Sequence, residues 1–316
     1  MEMKKAIHIP VLPEEALTYL APQQGEVFLD GTLGMGGHAN LVAKHLGPQG
    51  TIIGIDQDQK AMAIAKERLK KFPGRLYLIP GNFRRLEKYL DQEGITTVDG
   101  ILFDLGVSSL QLDTGERGFS YWQDAPLDMR MDQKTRVSAA DFINTAEKKD
   151  LTQVLREYGE ERWASRIADF ILKERKKKTI HFTGELVEII KAAIPAGARR
   201  TGPHPARKTF QALRIYVNQE LAALEEGLEA GIKRLSTGGR MVVISFHSLE
   251  DRIVKNTFRR LARSCICSPD LPVCVCGGQN RQVEILTPRP VLPGKKELDQ
   301  NPRSRSAKLR AVRKMV

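Results

Sequence analysis

At 316 residues, with 41% hydrophobic and 28% charged residues, the chain has the composition of a soluble globular protein and is long enough for one large domain or two smaller ones. No apolar run approaches the ~20 residues that a membrane-spanning helix needs, which excludes an integral helical membrane protein. A formal net charge of +12 points to a polyanionic partner, nucleic acid first, although a generally basic, solvated surface gives the same charge.

The first residues, Met1 to Lys5, are charged, and Pro10 and Pro13 break the short stretch after them, so no secretory leader is expected and the protein is expected in the cytoplasm. Short apolar runs at Val27–Asp30, Thr51–Asp56, Leu76–Ile79 and Gly100–Asp104 predict strands. The helical patterns Ala39–Leu46 and Gln59–Phe72 lie between them. Strands alternating with helices predict a doubly wound, Rossmann-like α/β sheet with right-handed crossovers. After Asp104 the rhythm breaks, and the next strong strand begins only at Arg240, so a segment is inserted. Its pattern is helical. Ser138-Ala-Ala-Asp141 reads as a capping box, Gly159 as a helix stop, and Glu160–Lys178 as amphipathic. Another helix begins at Thr183 and ends by Pro195. From Lys208 to Ser236 apolar residues recur at three- and four-residue steps, predicting one long helix or two in series. Arg240–Phe246 returns the chain to the sheet, Ser248-Leu-Glu-Asp251 reads as a second capping box, and Glu284–Leu286 with Ala307–Val312 supply the last two strands.

Between the first strand and helix lies a glycine-rich turn, Asp30-Gly-Thr-Leu-Gly-Met-Gly-Gly-His38. Glycines admit positive φ and let backbone amides approach a ligand, but a turn of this kind also serves dinucleotides. Asp56, at the end of the second strand, suits the ribose hydroxyls of either ligand. Three details favour S-adenosylmethionine. Asp30 offers a carboxylate to the ammonium of its amino-acid end, and Gly31, Gly34, Gly36 and Gly37 do not follow the dinucleotide spacing. In addition, Phe83 and Asp104 fall at strand ends facing the ligand crevice, where Phe83 can cover the adenine.

The chain resembles the bacterial ribosomal RNA small-subunit methyltransferase H family. The resemblance is carried by His8-Ile-Pro-Val-Leu12, Asp30-Gly-Thr32, Gly36-Gly-His38, Asp104-Leu-Gly-Val-Ser-Ser109 with Gln111, and Glu116-Arg-Gly-Phe-Ser120. It continues through Pro126–Asp132, Tyr158–Arg162, Thr209–Arg214, Ser245–Asp251 and Asn301–Ser306, nearly end to end. The resemblance implies a class I S-adenosylmethionine-dependent methyltransferase sheet carrying an inserted all-helical domain. Residues 1–112 and 215–316 would form the sheet domain, with a cysteine loop at 264–278, and 113–214 the insert. It further implies S-adenosylmethionine as methyl donor and N4 of one cytosine in the decoding region of 16S rRNA, within the small ribosomal subunit, as acceptor. By position, the family's cofactor contacts fall on Gly36, Gly37, His38, Asp56, Phe83, Asp104 and Gln111, to which the residue reading adds Asp30 and Gly34.

An exocyclic cytosine amine is a poor nucleophile because its lone pair is delocalised into the ring, so the site must orient it and accept its hydrogen bonds. Asp104 and His247 are candidates to receive the proton, and Ser245, Ser108 and Ser109 to orient the base; Phe119, Tyr121 and Trp122 are candidate stacking surfaces. The turn Asp104-Leu-Gly-Val107 lacks the prolines and aromatic residue of the DNA amino-methyltransferase motif, so that analogy is loose. Basic clusters at Lys173–Lys178, Arg199-Arg200 with Arg207-Lys208, Arg259-Arg260 with Arg263, and Arg303–Lys314 can contact phosphates. All four cysteines, Cys265, Cys267, Cys274 and Cys276, share one loop, where thiolates suit a structural zinc and disulfides do not suit a reducing cytoplasm. The sequence leaves a homodimer open. The competing readings are a methyltransferase acting on DNA or protein, a non-catalytic RNA-binding or assembly factor on the same fold, and a nicotinamide oxidoreductase, which Asp30 disfavours.

Overall fold

The computed structural model describes residues 9–107, 117–133, 135–200, 202–265, 267, 273 and 275–316. It divides into two compact units, Met1–Gly106 with Leu221–Val316, and Val107–Glu220.

The first unit runs α1 (Pro13–Leu20), β1 (Val27–Asp30), α2 (Gly37–Leu46), β2 (Thr51–Asp56), α3 (Gln59–Leu69), β3 (Arg75–Pro80), α4 (Leu86–Gln92) and β4 (Val98–Asp104). After the second unit it resumes with α11 (Glu220–Arg234), β5 (Leu235–Ser245), α12 (Ser248–Leu261), β6 (Val283–Ile285), α13 (Lys295–Gln300) and β7 (Lys308–Lys314). The seven strands lie in the order β3-β2-β1-β4-β5-β7-β6. β1 to β5 are mutually parallel, and β7 is antiparallel to both its neighbours, β5 and β6. This is the doubly wound, Rossmann-like α/β sheet that the sequence predicts. Side-chain alternation along each strand divides the core in two. Leu29, Ile53, Ile101, Phe103 and Val243 face α4, α11 and α12. Phe28, Ile52, Leu102, Val242 and Ile244 face α1, α2 and α3. The strand order reverses between β1 and β4, and their carboxyl ends open the crevice in which folds of this kind bind ligands.

The second unit is helical, built from α5 (Ala139–Thr145), α6 (Lys148–Glu157), α7 (Ala164–Arg175), α8 (Thr183–Ala193), the short α9 (Ala196–Arg199) and α10 (Arg207–Asn218). Ser138 caps α5 in a capping box with Asp141, as its sequence predicts. The predicted long helix from 208 is two in series, because Gln219 turns left-handed at φ 51° and ends α10. The second of these, α11, stops at Arg234, and the strand begins at Leu235, earlier than the apolar pattern indicates.

The second capping box is shifted by one residue from its predicted position. His247, not Ser248, is the N-cap of α12, and Glu250, not Asp251, closes the box. Glu250 accepts hydrogen bonds from the amides of Phe246 (2.8 Å) and His247 (3.2 Å). Asp251 turns instead to Arg310, at 2.6 Å, on β7.

Candidate active site at the carboxyl ends of β1, β2 and β4

Asp30, Asp56 and Asp104 end β1, β2 and β4, so parallel pairing brings three carboxylates to one edge of the sheet. Backbone and side-chain hydrogen bonds then fix the glycine turn among them. Gly34 donates its amide to Asp56 Oδ2 at 2.7 Å, while Asp56 Oδ1 accepts the Asp58 amide at 2.8 Å. Thr32 donates its amide to Asp30 Oδ1 at 3.1 Å, and its hydroxyl oxygen accepts the Asp104 amide at 2.6 Å. Gly36, at φ 72°, is the N-cap of α2, a conformation that favours glycine. Thr32 therefore locks the turn to β4, a role that spacing alone did not reveal. The signal was a short hydroxyl residue between the first two glycines.

The site is buried and acidic. Asp30 is 1% exposed, and burial pushes its carboxyl up to about 7, reinforced by Asp104 and Asp56 and opposed by His38 and the Thr32 amide. Burial likewise pushes Asp56 up to about 6 against amide hydrogen bonds from Asp58, Gly34 and Gln57. A cationic ligand group beside Asp30 would compensate a carboxylate that the apo site tends to protonate. His38, on the first turn of α2, brings Nε2 to 3.6 Å from Asp104 Oδ2, too long for a hydrogen bond. His38 Nε2 and Asp104 Oδ1 are buried and have no hydrogen-bond partner among the described residues. Buried polar atoms left without partners are costly and point to a ligand that supplies them.

Phe83 follows β3 in a single 3-10 turn capped by Asn82. Its ring leans on Phe103 at 4.8 Å, and a Cβ on Gly227 would lie 2.4 Å from it, so only glycine leaves it room there. The ring is half-buried and joins the core from the site's edge. Behind the turn, the Leu12 amide donates to Glu297 Oε1 at 2.8 Å, and Pro10 lies within 3.3 Å of where a Gly37 Cβ would stand. Pairing between these chain ends was not legible as spacing.

The remaining predicted residues fall into three groups. Gln111, Ser108 and Ser109 lie outside the described residues. Ser245 ends β5 and donates its hydroxyl to the Lys308 carbonyl at 3.4 Å, joining β5 to β7. His247 accepts the Glu250 amide at Nδ1, at 3.4 Å, while its buried Nε2, 3.1 Å from Glu250 Oε1, has no hydrogen-bond partner among the described residues. The geometry gives both a structural task. Of the basic cluster at 303–314, Arg310 binds Asp251, Arg313 binds Glu284, and Lys314 donates to the Ile232 carbonyl.

The sulfurs of Cys265, Cys267 and Cys276 lie within 4.8 Å of one another, and Cys274 lies outside the described residues. Cys265 and Cys276 sulfurs are 3.7 Å apart, against the ~3.8 Å edge of a tetrahedral zinc thiolate with bonds of about 2.3 Å. The donor set fits zinc.

A family model described as the MraW methylase family matches residues 5–315. The chain belongs to the MraW methylase family. Curated relatives of this MraW family chain are named Ribosomal RNA small subunit methyltransferase H. The protein from Geotalea daltonii is 55% identical over 308 residues, covering 98% of each chain. Those from Symbiobacterium thermophilum and Heliobacterium modesticaldum are 54% and 52% identical, over 98% of this chain and 96% and 98% of their own. No helix among the described residues of this family member is long and apolar enough to cross a membrane.

Proposed function

We propose that this chain is an S-adenosylmethionine-dependent methyltransferase of small-subunit ribosomal RNA, acting in the cytoplasm on N4 of one cytosine in the decoding region. One observation in the structure carries the reading. The unpartnered pair His38 Nε2 and Asp104 Oδ1 sits beside the buried Asp30, at the point where the strand order reverses. Membership of a family whose curated relatives are named for small-subunit rRNA methylation supplies the acceptor class.

S-adenosylmethionine, when bound, supplies a methyl group activated by a sulfonium. Asp30 compensates the ammonium, Asp56 accepts from the ribose hydroxyls with the lone pairs its amide bonds leave over, and Phe83 borders the adenine. Asp104 accepts a hydrogen bond from the cytosine amine, holding its lone pair toward the methyl, and takes the proton that the amine loses. The protein's task is thus orientation and charge placement rather than covalent chemistry.

The test is transfer of labelled methyl to purified small subunits, naked 16S rRNA and DNA. The reading expects label on cytosine of the rRNA and none on DNA, and label on DNA alone would overturn it. We further propose that the four cysteines Cys265, Cys267, Cys274 and Cys276 hold a structural zinc that closes a loop with little core of its own, the first two and Cys276 having their sulfurs within reach of one ion. Metal analysis of purified protein is expected to find roughly one zinc per chain, lost in Cys267→Ser. Protein prepared without chelators and free of zinc would end the idea.

A further inference from the structure

The helical unit presents an aromatic cluster that its own core does not account for. Phe119 is 7% exposed and belongs to that core, but Trp122 is 75% exposed, and its ring is held from behind. The Tyr121 ring stacks on His204 at 4.7 Å with a 10° tilt and meets Phe210 edge-on at 5.6 Å, which anchors the pair to the core. Trp122 in turn leans on His204 at 4.8 Å and on Tyr121 at 5.4 Å.

The segment that carries Trp122 is pinned. Thr183, at the start of α8, donates its hydroxyl to the Gln123 carbonyl and accepts the Ala125 amide, while Gly184 donates to Asp124. An indole so exposed on so fixed a backbone exposes apolar surface to water with no folding gain, and the fixed backbone has already lost the entropy that a ligand would otherwise have to remove. The loop on the other side of the cluster is basic. His204 accepts the Arg207 amide at its carbonyl, and Arg199, Arg200 and Arg207 are exposed and form no ion pair among the described residues. His204 accepts the Ala206 amide at Nδ1, which keeps that nitrogen unprotonated and the ring available as a neutral stacking partner.

We infer that Trp122, backed by His204 and Tyr121, is a stacking seat for an unpaired base of the RNA substrate, with Arg199, Arg200 and Arg207 meeting its phosphates. The inference rests on the rRNA reading above and adds a contact residue to it. An aromatic face beside unpaired guanidinium groups is the combination that binds single-stranded nucleic acid, the ring taking the base and the cations the backbone.

The test titrates full-length protein with a single-stranded rRNA fragment and with small subunits, at one salt concentration. Trp122→Ala is expected to weaken binding to the fragment about tenfold and Trp122→Phe to restore most of it, with S-adenosylmethionine affinity unchanged. Wild-type fragment affinity in Trp122→Ala, or no fragment binding by the wild type, would overturn the seat. Loss on small subunits alone would overturn it in favour of a ribosomal-protein contact. Wild-type methyl transfer to small subunits, measured separately, tests the rRNA reading, so the two can fail independently.

Discussion

At the residue scale the proposed mechanism rests on Asp104 and Asp30, and each makes its own prediction. Asp104→Asn keeps the side-chain shape and the backbone amide bond to Thr32 but removes the carboxylate that takes the proton, so methyl transfer should fall at least 100-fold while the melting temperature stays near wild type. Wild-type turnover in that variant would remove Asp104 from the mechanism. Asp30 governs a pH dependence. Its folded carboxyl titrates at about 7 against an ordinary 3.8, so the folded apo protein binds a proton more tightly than the unfolded chain. Its contribution to stability is therefore complete below roughly pH 4 and is lost as pH rises through about 7. Asp56, titrating at about 6, acts in the same direction. Melting curves of cofactor-free protein between about pH 5 and 8 should show wild type losing stability and Asp30→Asn losing less of it. Equal losses would contradict the buried-carboxylate account. These acids were legible in the sequence because strand ends can be located from apolar runs. Thr32, which locks the turn, was not, because its hydrogen bond goes to a residue on another strand.

At the scale of elements, the shifted cap of α12 is instructive. Ser248 is the more usual capping residue and has Asp251 three positions on, so sequence alone favours it. The structure starts the helix one residue earlier because Glu250 is buried and collects two amides, while Asp251 is drawn to Arg310 on β7. His247 is thus a cap as well as a motif residue. His247→Ala should cost about 1 kcal/mol of stability in denaturant melts, and His247→Asn, which can also cap, should cost less. Turnover that survives in His247→Asn would leave the histidine its structural role, and turnover lost in both with unchanged melts would return it to the chemistry. The break at Gln219 has a similar origin. The apolar steps run through it without interruption, and no residue there is a glycine that would announce a left-handed turn.

Across the whole molecule, the doubly wound sheet and the interruption after β4 were legible from the rhythm of apolar runs, since parallel strands buried on both faces read as continuous hydrophobic segments. The strand order, which creates the crevice, was not, because it depends on pairings distant in sequence. Net charge indicated a polyanion but overstated the 303–314 cluster, where Arg310, Arg313 and Lys314 satisfy partners within the fold. In the proposed function this chain places one methyl group on a cytosine amine of small-subunit rRNA. Mass-spectrometric mapping of that RNA, from cells with and without the protein, tests it most directly. Loss of a single N4-methyl group from the decoding region is the predicted result. An unchanged methylation map would contradict it.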